Sequence, residues 1–201
     1  MKKATLTMLL LLALTAGPAF AAGAVGSVGS MAPAFQLKDL NGKTHSLADY
    51  KGKVVVLEWV NPNCPFSDRH AKEKTMSNLV KKHGKGGVVW LGINSTSASH
   101  SNFLQPAEHK AWAQKNGVNY AVLYDETGKV GKAYDAKTTP HMFIVDEQGK
   151  IAYNGAIDDD PPGRNDAAKR TNFVDGGLIA ELAGKKVDPA ATKPYGCSVK
   201  Y

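Results

Sequence analysis

The sequence is poor in cysteine, and this scarcity excludes several classes of protein. It contains only Cys64 and Cys197 among 201 residues. Two cysteines are too few for a cysteine-only zinc site, a cysteine-ligated iron-sulfur cluster or a miniprotein held together by several disulfides. Thiol chemistry in this chain is therefore restricted to these two residues.

Concentrated charge and long apolar runs are also scarce. Lysine and arginine number 25 against 18 acidic residues, but no arginine-rich block gathers that excess, so a nucleic-acid partner is disfavoured. The apolar run from Met8 to Leu14 is shorter than the roughly 18 to 20 residues that a transmembrane helix needs. The Gly-x-Gly-x-x-Gly motif of dinucleotide and flavin sites is absent as well, and we predict no cofactor.

The first 21 residues have the form of a secretory signal peptide. Two lysines precede the apolar run, and Ala19-Phe20-Ala21 has the small-x-small pattern of a cleavage site. We therefore predict export to a bacterial periplasm, where disulfides persist, with no membrane insertion after cleavage. Residues 22–31 are expected to form a flexible linker, and residues 32–201 a single domain, because 43% hydrophobic and 21% charged residues are typical of one globular core.

Hydrophobic periodicity and turn residues predict strands that alternate with helices. The β-branched and aromatic run at 53–60 is typical of a central strand covered on both faces, and Asn41-Gly42 favours a tight hairpin turn. Helices are predicted over 65–83, 106–116, 125–134 and 174–185, further strands over 87–93 and 120–124, and a second hairpin over 141–155. This order indicates an α/β fold with a mixed central sheet flanked by helices and an N-terminal hairpin.

Cys64 follows the predicted central strand and directly precedes Pro65, a residue favoured in the first turn of a helix. The pattern therefore predicts that Cys64 caps a helix N-terminus. Unpaired backbone N–H groups and the helix dipole stabilise a thiolate there and lower its pKa. We expect the sulfur of Cys64 to be ionised and reachable from solvent.

Several short motifs resemble those of one protein family. The stretch from Trp59 to Ser67 resembles the active site of the thioredoxin superfamily, and Thr139-Pro140 resembles its cis-proline loop, which holds a substrate backbone beside the catalytic cysteine. From about Met31 onward, the chain resembles the peroxiredoxin-like branch of the redoxin (alkyl hydroperoxide reductase/thiol-specific antioxidant) family. The further motifs that carry this resemblance are Asp146-Glu-Gln-Gly149, Tyr153-Asn-Gly-Ala-Ile-Asp-Asp159 and the ending Lys193-Pro-Tyr-Gly-Cys-Ser-Val-Lys200.

This resemblance implies a thioredoxin-like fold and an antioxidant or thiol-disulfide oxidoreductase activity with Cys64 as nucleophile. Cys197, the only other cysteine, is the candidate resolving residue. The resemblance implies an external thiol reductant and, as substrate, a protein disulfide or a peroxide. The predicted substrate contacts are Trp59, Pro65, Phe66, Ser67, Thr139, Pro140 and His141. No metal ligand is predicted.

Two departures limit what the resemblance implies, and the second of them favours disulfide exchange over peroxide reduction. Ser67 stands where a dithiol site of the superfamily has its second cysteine, so that resolution within one helix turn is excluded. Typical peroxiredoxins have Thr or Ser three residues before the cysteine and Pro four residues before that, whereas this chain has Asn61 and Leu57. The usual peroxide-binding hydroxyl is therefore missing.

Several alternatives remain open. Cys64 and Cys197 either cycle between thiol and disulfide, form a permanent disulfide whose loop of about 130 residues would stabilise by roughly 5 kcal/mol, or stay unpaired. A non-catalytic module that binds an extended peptide beside Thr139-Pro140 is a rival from another class. A third reading is a copper carrier that uses Cys64 and His141.

The remaining polar residues give weaker expectations. His141 is expected near Cys64, where as an imidazolium it would lower the thiol pKa, whereas His70 is expected to be solvated or partly packed. Glu58 is a buried proton acceptor if it points inward beneath Cys64, and the strand period leaves that orientation open. The acidic segment 158–160 lacks the ligand spacing of a calcium loop and is predicted to be a solvated surface loop.

Overall fold

The computed structural model describes residues 26–201, and the predicted signal peptide lies outside them. The strands are β1 (Gln36–Asp39), β2 (Thr44–Ser46), β3 (Val55–Trp59), β4 (Val89–Asn94), β5 (Ala121–Tyr124), β6 (Thr138–Thr139), β7 (His141–Val145), β8 (Ile151–Gly155) and β9 (Cys197–Ser198). The α-helices are α1 (Pro65–Lys72), α2 (Thr75–His83), α3 (Pro106–Lys115), α4 (Lys129–Ala133) and α5 (Phe173–Leu182). None of the helices within this range is long and apolar enough to cross a bilayer.

Seven strands form one mixed sheet in the order β2-β1-β5-β4-β3-β7-β8. Strand β3 pairs in parallel with β4 and antiparallel with β7, and β4 pairs in parallel with β5. The two predicted hairpins are β1–β2 and β7–β8. The sheet confirms the predicted α/β class and places the end of β3 in its interior.

Strand β3 is buried along its whole length, which explains its nearly continuous apolar sequence. Its side chains alternate between two apolar layers. Val55, Leu57 and Trp59 belong to the layer that contains Val130 of α4, whereas Val56 belongs to the layer that contains residues of α2 and α5. Both faces of β3 are therefore covered, and the chain reaches Cys64 directly after the turn that follows this strand.

The single helix predicted over 65–83 is wrong, because the structure has two helices there. Lys74, between α1 and α2, has a φ of 57°, and this left-handed conformation ends the first helix. Its N–H bonds to the oxygen of Ala71 at 3.0 Å, three residues back, instead of continuing the α-helical series. The helix that begins beside Cys64 is therefore short.

The last residues of the chain form a separate two-stranded sheet with β6, the short strand that precedes β7. Strand β9 pairs antiparallel with β6, so that Thr139 lies opposite Cys197. Beyond it, the N–H of Val199 donates to the oxygen of Lys137 at 3.1 Å. The N–H of Ser97 donates to the oxygen of Lys200 at 2.7 Å. The C-terminal segment is therefore fixed at Cys197 and in the residues that follow it.

Residues 26–31, which we predicted as part of a flexible linker, pack along β8 instead. The N–H of Gly29 donates to the oxygen of Ile151 at 2.8 Å, and the N–H of Ile151 donates to the oxygen of Ser30 at 2.9 Å. The Asn154 side chain donates to the oxygen of Gly26 at 2.8 Å. Because backbone groups at a strand edge need partners, this segment completes the sheet edge and belongs to the folded domain.

Candidate active site

Cys64 is the N-cap of α1, as the sequence predicts. The turn before it is held by Asn61, whose side chain accepts from the N–H of Asn63 at 2.7 Å and donates to the Thr96 hydroxyl at 2.7 Å. The N–H of Cys64 donates to the oxygen of Asn61 at 3.0 Å. The side chain at the position of the missing peroxide-binding hydroxyl therefore holds the turn.

The Cys64 sulfur is surrounded by groups from three parts of the chain. Its thiol donates to the backbone oxygen of Thr139 at 2.8 Å. The N–H of Ser67 reaches the sulfur from the first turn of α1, and the thiol and N–H of Cys197 reach it from β9. The peptide bond between Thr139 and Pro140 is cis. The site therefore brings together the predicted nucleophile, the predicted cis-proline loop and the second cysteine.

These surroundings separate the two thiols in acidity. Burial raises the pKa of Cys64, but hydrogen bonds to its sulfur from the side chains of Thr139 and Cys197 and from the Ser67 amide outweigh burial and lower the pKa below its ordinary value. Burial, the hydrogen bond to Cys64 and the charge on Cys64 raise the pKa of Cys197 to about 11. Cys64 is therefore the more acidic thiol of the pair, and Cys197 is the less acidic one.

Gly196 lets the C-terminal segment approach the cis-proline loop. Its φ is 133°, a region that L side chains rarely adopt. A Cβ atom here would lie 2.1 Å from the backbone oxygen of Thr139, the same atom that accepts from Cys64. Glycine is therefore required at position 196, where the C-terminal segment crosses the site.

Only 2% of Cys64 is exposed, so the expectation of a solvent-accessible sulfur is wrong for this conformation. The cause is β9, which lays Cys197 over the sulfur. Both cysteines are free thiols, and Cys197 is partly exposed. A bulky substrate disulfide therefore reaches Cys64 only after β9 moves.

The residues that follow Cys64 divide between surface and interior. Pro65 is exposed and Phe66 is partly buried. They line a surface depression of about 240 Å³ together with Arg69, Pro161 and Pro162. Ser67 is fully buried, and its hydroxyl has no hydrogen-bond partner within residues 26–201. Pro65 and Phe66 thus reach the surface beside Cys64, whereas Ser67 directs only its backbone N–H at the sulfur.

Trp59 lies in the core and does not form a wall of the site. It is fully buried, and its indole N–H donates to the Ser95 hydroxyl at 3.1 Å. Its ring packs against Tyr134 and Phe143, with 5.2 Å between ring centroids in each pair. Its contribution to the site is structural support beneath the turn.

His141 does not interact with Cys64, contrary to expectation. Its Nδ1 accepts from the N–H of Lys137 at 3.0 Å, and its Nε2 donates to the Asn154 side chain at 2.7 Å. Burial lowers the pKa of His141 to about 4, so the imidazole is neutral. Because both ring nitrogens are occupied, the proposed copper pair of Cys64 and His141 is not formed. No group of three metal-ligating side chains occurs within residues 26–201.

His70, which we expected to be solvated or partly packed, is fully buried. Its Nδ1 lies 3.1 Å from the Thr75 hydroxyl, and its Nε2 lies 2.9 Å from both the Tyr195 hydroxyl and Nη2 of Arg69. Burial and the charge of Arg69 lower its pKa to about 3. This role of Tyr195 is not predictable from the sequence, where its signal is an aromatic residue next to Gly196.

The acidic segment 158–160 is also more buried than predicted. Asp158 and Asp160 are each 3% exposed. Arg170 lies between them, with its Nε 3.1 Å from Asp160 and its Nη1 4.0 Å from Asp158. Since an unpaired buried carboxylate is costly, the arginine allows this segment to pack against the domain.

Glu58 points inward, which settles the orientation that the sequence left open. It is fully buried, and its Oε2 accepts from the indole N–H of Trp90 at 3.1 Å and from the Tyr120 hydroxyl at 2.8 Å. Its Oε1 has no partner within the described residues. Burial, which outweighs these two hydrogen bonds, raises the pKa of Glu58 to about 7.

Replacing Glu58 with Gln is expected to flatten the dependence of stability on pH. A carboxyl whose pKa is raised on folding contributes stability that is present below its unfolded pKa and is lost as pH rises through about 7. The loss across that window is roughly 3 kcal/mol. Urea unfolding between pH 4 and 8 measures it. Glu126→Gln, at an exposed position, should keep the wild-type slope, and an unchanged slope in Glu58→Gln would contradict the raised pKa.

The sequence places this site in a known family. Residues 28–154, more than half of the chain, match the AhpC/TSA family. The chain belongs to the AhpC/TSA family. The predicted resemblance to redoxins is thereby confirmed, and the family match covers both Cys64 and the cis-proline loop.

Two curated relatives of this AhpC/TSA chain have different names. Thiol-disulfide oxidoreductase ResA of Geobacillus thermodenitrificans is 30% identical over 120 residues, which are 60% of this chain and 64% of that protein. Peroxiredoxin Q, chloroplastic, of Triticum aestivum is 31% identical over 137 residues, covering 60% of this chain and 55% of that protein. The matches therefore span less than two thirds of either relative.

Solved structures show the same fold as this AhpC/TSA chain. An uncharacterized conserved protein from Geobacillus kaustophilus has a TM-score of 0.79 and 31% identity, with 88% of this chain and 93% of that chain covered. A putative thiol:disulfide interchange protein DsbE from Chlorobium tepidum has a TM-score of 0.55 and 23% identity, with 64% and 84% covered. The predicted thioredoxin-like fold is confirmed.

Proposed function

We propose that the protein is a thiol-disulfide oxidoreductase in which Cys64 is the nucleophile and Cys197 resolves the intermediate. The observation that carries this proposal is that both cysteines meet at Thr139: the Cys64 thiol donates to its backbone oxygen at 2.8 Å, and Cys197 lies opposite it in the β6–β9 pair. The two groups already have the acidity that the exchange requires, because the attacking sulfur is the more acidic one.

The exchange proceeds in two displacements. The Cys64 thiolate attacks one sulfur of a substrate disulfide, which forms a mixed disulfide and releases the first substrate thiolate. Cys197 then loses its proton to solvent and attacks the Cys64 sulfur, which releases the second substrate thiolate. The two cysteines thus give two electrons to the substrate, whose two thiolates take their protons from solvent, and an external thiol reductant restores the pair.

Residues around the pair supply the supporting contacts in this proposal. The Ser67 amide and the helix N-terminus stabilise the thiolate of Cys64. Thr139 and Pro140 present the backbone edge along which a substrate segment lies, and Pro65 and Phe66 offer exposed apolar surface next to the sulfur. The proposed substrate is a protein or peptide disulfide.

Peroxide reduction is a second candidate function, favoured by the burial of Cys64. With only 2% of Cys64 exposed, a small oxidant such as hydrogen peroxide reaches the sulfur more easily than a protein does. The thiolate would take one peroxide oxygen to form a sulfenic acid and release hydroxide, and Cys197 would then condense with it to form the disulfide and water. The Asn61 side chain, engaged in the turn, argues against this candidate.

We also propose that the protein works outside the cytoplasm. Support comes from the lysines, apolar run and Ala19-Phe20-Ala21 site of residues 1–21. An oxidising compartment suits a pair of thiols that cycles through a disulfide.

Titration with glutathione tests the proposed function. The protein is equilibrated over a range of reduced to oxidised glutathione, the remaining thiols are trapped, and Cys64 and Cys197 are located by peptide mass. We expect one two-electron transition, with a midpoint above about −270 mV. A disulfide that resists reduction to potentials below about −300 mV would indicate a permanent structural bond instead.

A further inference from the structure

Tyr195 joins the C-terminal segment to a buried polar cluster. Its hydroxyl donates to the carboxylate of Asp158. The same oxygen lies 2.9 Å from Nε2 of His70 and 3.4 Å from Nη2 of Arg69. A single phenol oxygen thus meets an acid, an imidazole and a guanidinium.

The cluster is well anchored in the domain. Asp158 is 3% exposed, and the Arg170 side chain is 9% exposed. Arg170 also pairs with Glu73, which follows α1. Because charged groups buried in this way are costly to rearrange, the cluster offers a fixed attachment point for the tail.

Tyr195 also contacts the helix that carries Cys64. Its ring centroid lies 6.0 Å from that of Phe66 and 6.2 Å from that of His70, both in α1. Only Gly196 separates Tyr195 from Cys197. Fixing the Tyr195 ring and hydroxyl on α1 therefore restricts where the Cys197 sulfur lies relative to the Cys64 sulfur.

We propose that Tyr195 is a positioning residue that holds Cys197 against Cys64 for resolution of the intermediate; this inference rests on the proposed function. The hydrogen bond from the Tyr195 hydroxyl anchors the C-terminal segment before Cys197. The backbone hydrogen bonds of Val199 and Lys200 anchor it after Cys197. The buried cluster thereby sets the effective concentration of one thiol at the other.

Tyr195→Phe tests the role of the hydroxyl, because it keeps the ring and removes only the contacts to Asp158, His70 and Arg69. The full chain is equilibrated with glutathione: one oxidised glutathione takes two electrons and two protons from Cys64 and Cys197 and leaves as two reduced glutathiones. We expect the equilibrium constant for the Cys64–Cys197 disulfide to fall about 10- to 100-fold, as for loss of a hydrogen bond to a charged group.

Tyr50→Phe is the matched control. Its hydroxyl also bonds to a histidine, His45, at 2.5 Å, but Tyr50 lies beside Val55 at the start of β3, whereas Cys64 follows the end of that strand. We expect its equilibrium constant to stay within about twofold of wild type. A change that destabilises the oxidised and reduced forms equally leaves this constant unchanged, so a merely structural role of Tyr195 would not move it.

Asp158→Asn probes the same contact from the other side, and it carries the test if the Tyr195 variant does not fold. We expect a similar fall, with the double variant falling little beyond either single variant. If wild type forms the disulfide and neither single variant shifts the constant, the positioning role of Tyr195 is overturned while the proposed function stands. If wild type forms no Cys64–Cys197 disulfide, both are overturned.

Discussion

Reduction of a disulfide substrate is expected to fall at least about 1,000-fold when Cys64 is replaced by Ser, because the serine hydroxyl is not ionised near neutral pH. The matched variant Cys197→Ser keeps the nucleophile and loses only the resolving thiol. It should react once and then accumulate a mixed disulfide on Cys64. Mass spectrometry of the intact variants, together with a steady-state reductase assay, measures both outcomes.

The same pair of variants separates the rival functions. Residual turnover in Cys64→Ser close to wild type would place the reactive group elsewhere. If wild type itself shows no turnover that depends on Cys64, while binding of an extended peptide survives the substitution, the protein is a binding module. With hydrogen peroxide as oxidant, rapid sulfenic acid formation on Cys64 in Cys197→Ser would favour the peroxidase.

Replacing Gly196 with Ala is expected to lower the equilibrium constant for the Cys64–Cys197 disulfide by about 100-fold, because a displaced C-terminal segment lowers the effective concentration of one thiol at the other. A Cβ atom 2.1 Å from the oxygen of Thr139 meets backbone and not a flexible side chain, so the tail itself must shift. Equilibration with glutathione measures the constant. Exposure of Cys64 to a thiol-alkylating reagent should rise in the reduced protein.

Gly184→Ala provides the control for Gly196→Ala. Gly184 also has a positive φ, of 64°, but a Cβ atom there would have no neighbour within 4 Å. We expect this variant to have the wild-type equilibrium constant for the Cys64–Cys197 disulfide. Equal oxidation of Gly196→Ala and wild type would show that the tail does not hold Cys197 against Cys64 in solution.

Much of the fold follows from local sequence signals. The apolar run of β3 and the Asn41-Gly42 turn predict their elements because strand burial and turn conformation depend on residues close in sequence. The break between α1 and α2 was missed because apolar residues continue at helical spacing across it. Nothing in the local sequence marks Lys74 as left-handed.

In the candidate site, too, features set by neighbouring residues are predictable from the sequence, whereas features set by distant residues are not. The capping position of Cys64 is predictable, since the preceding strand and the following proline are its neighbours. The orientation of His141 is not, because it depends on Asn154 of the adjacent strand. The burial of His70 depends on Tyr195, which is separated from it by 125 positions. Long-range contacts of this kind decide which histidine is available for chemistry.

The pairing of Thr139 with Cys197 also bears on how a catalytic cycle would end. A peptide held along the cis-proline loop and strand β9 compete for the same backbone edge. Docking of the peptide would displace β9 from this edge. The return of Cys197 to cleave the mixed disulfide would in turn displace the peptide. Cleavage of the mixed disulfide and release of the product would then occur in one movement of β9. The rate at which β9 returns to Thr139 would limit turnover.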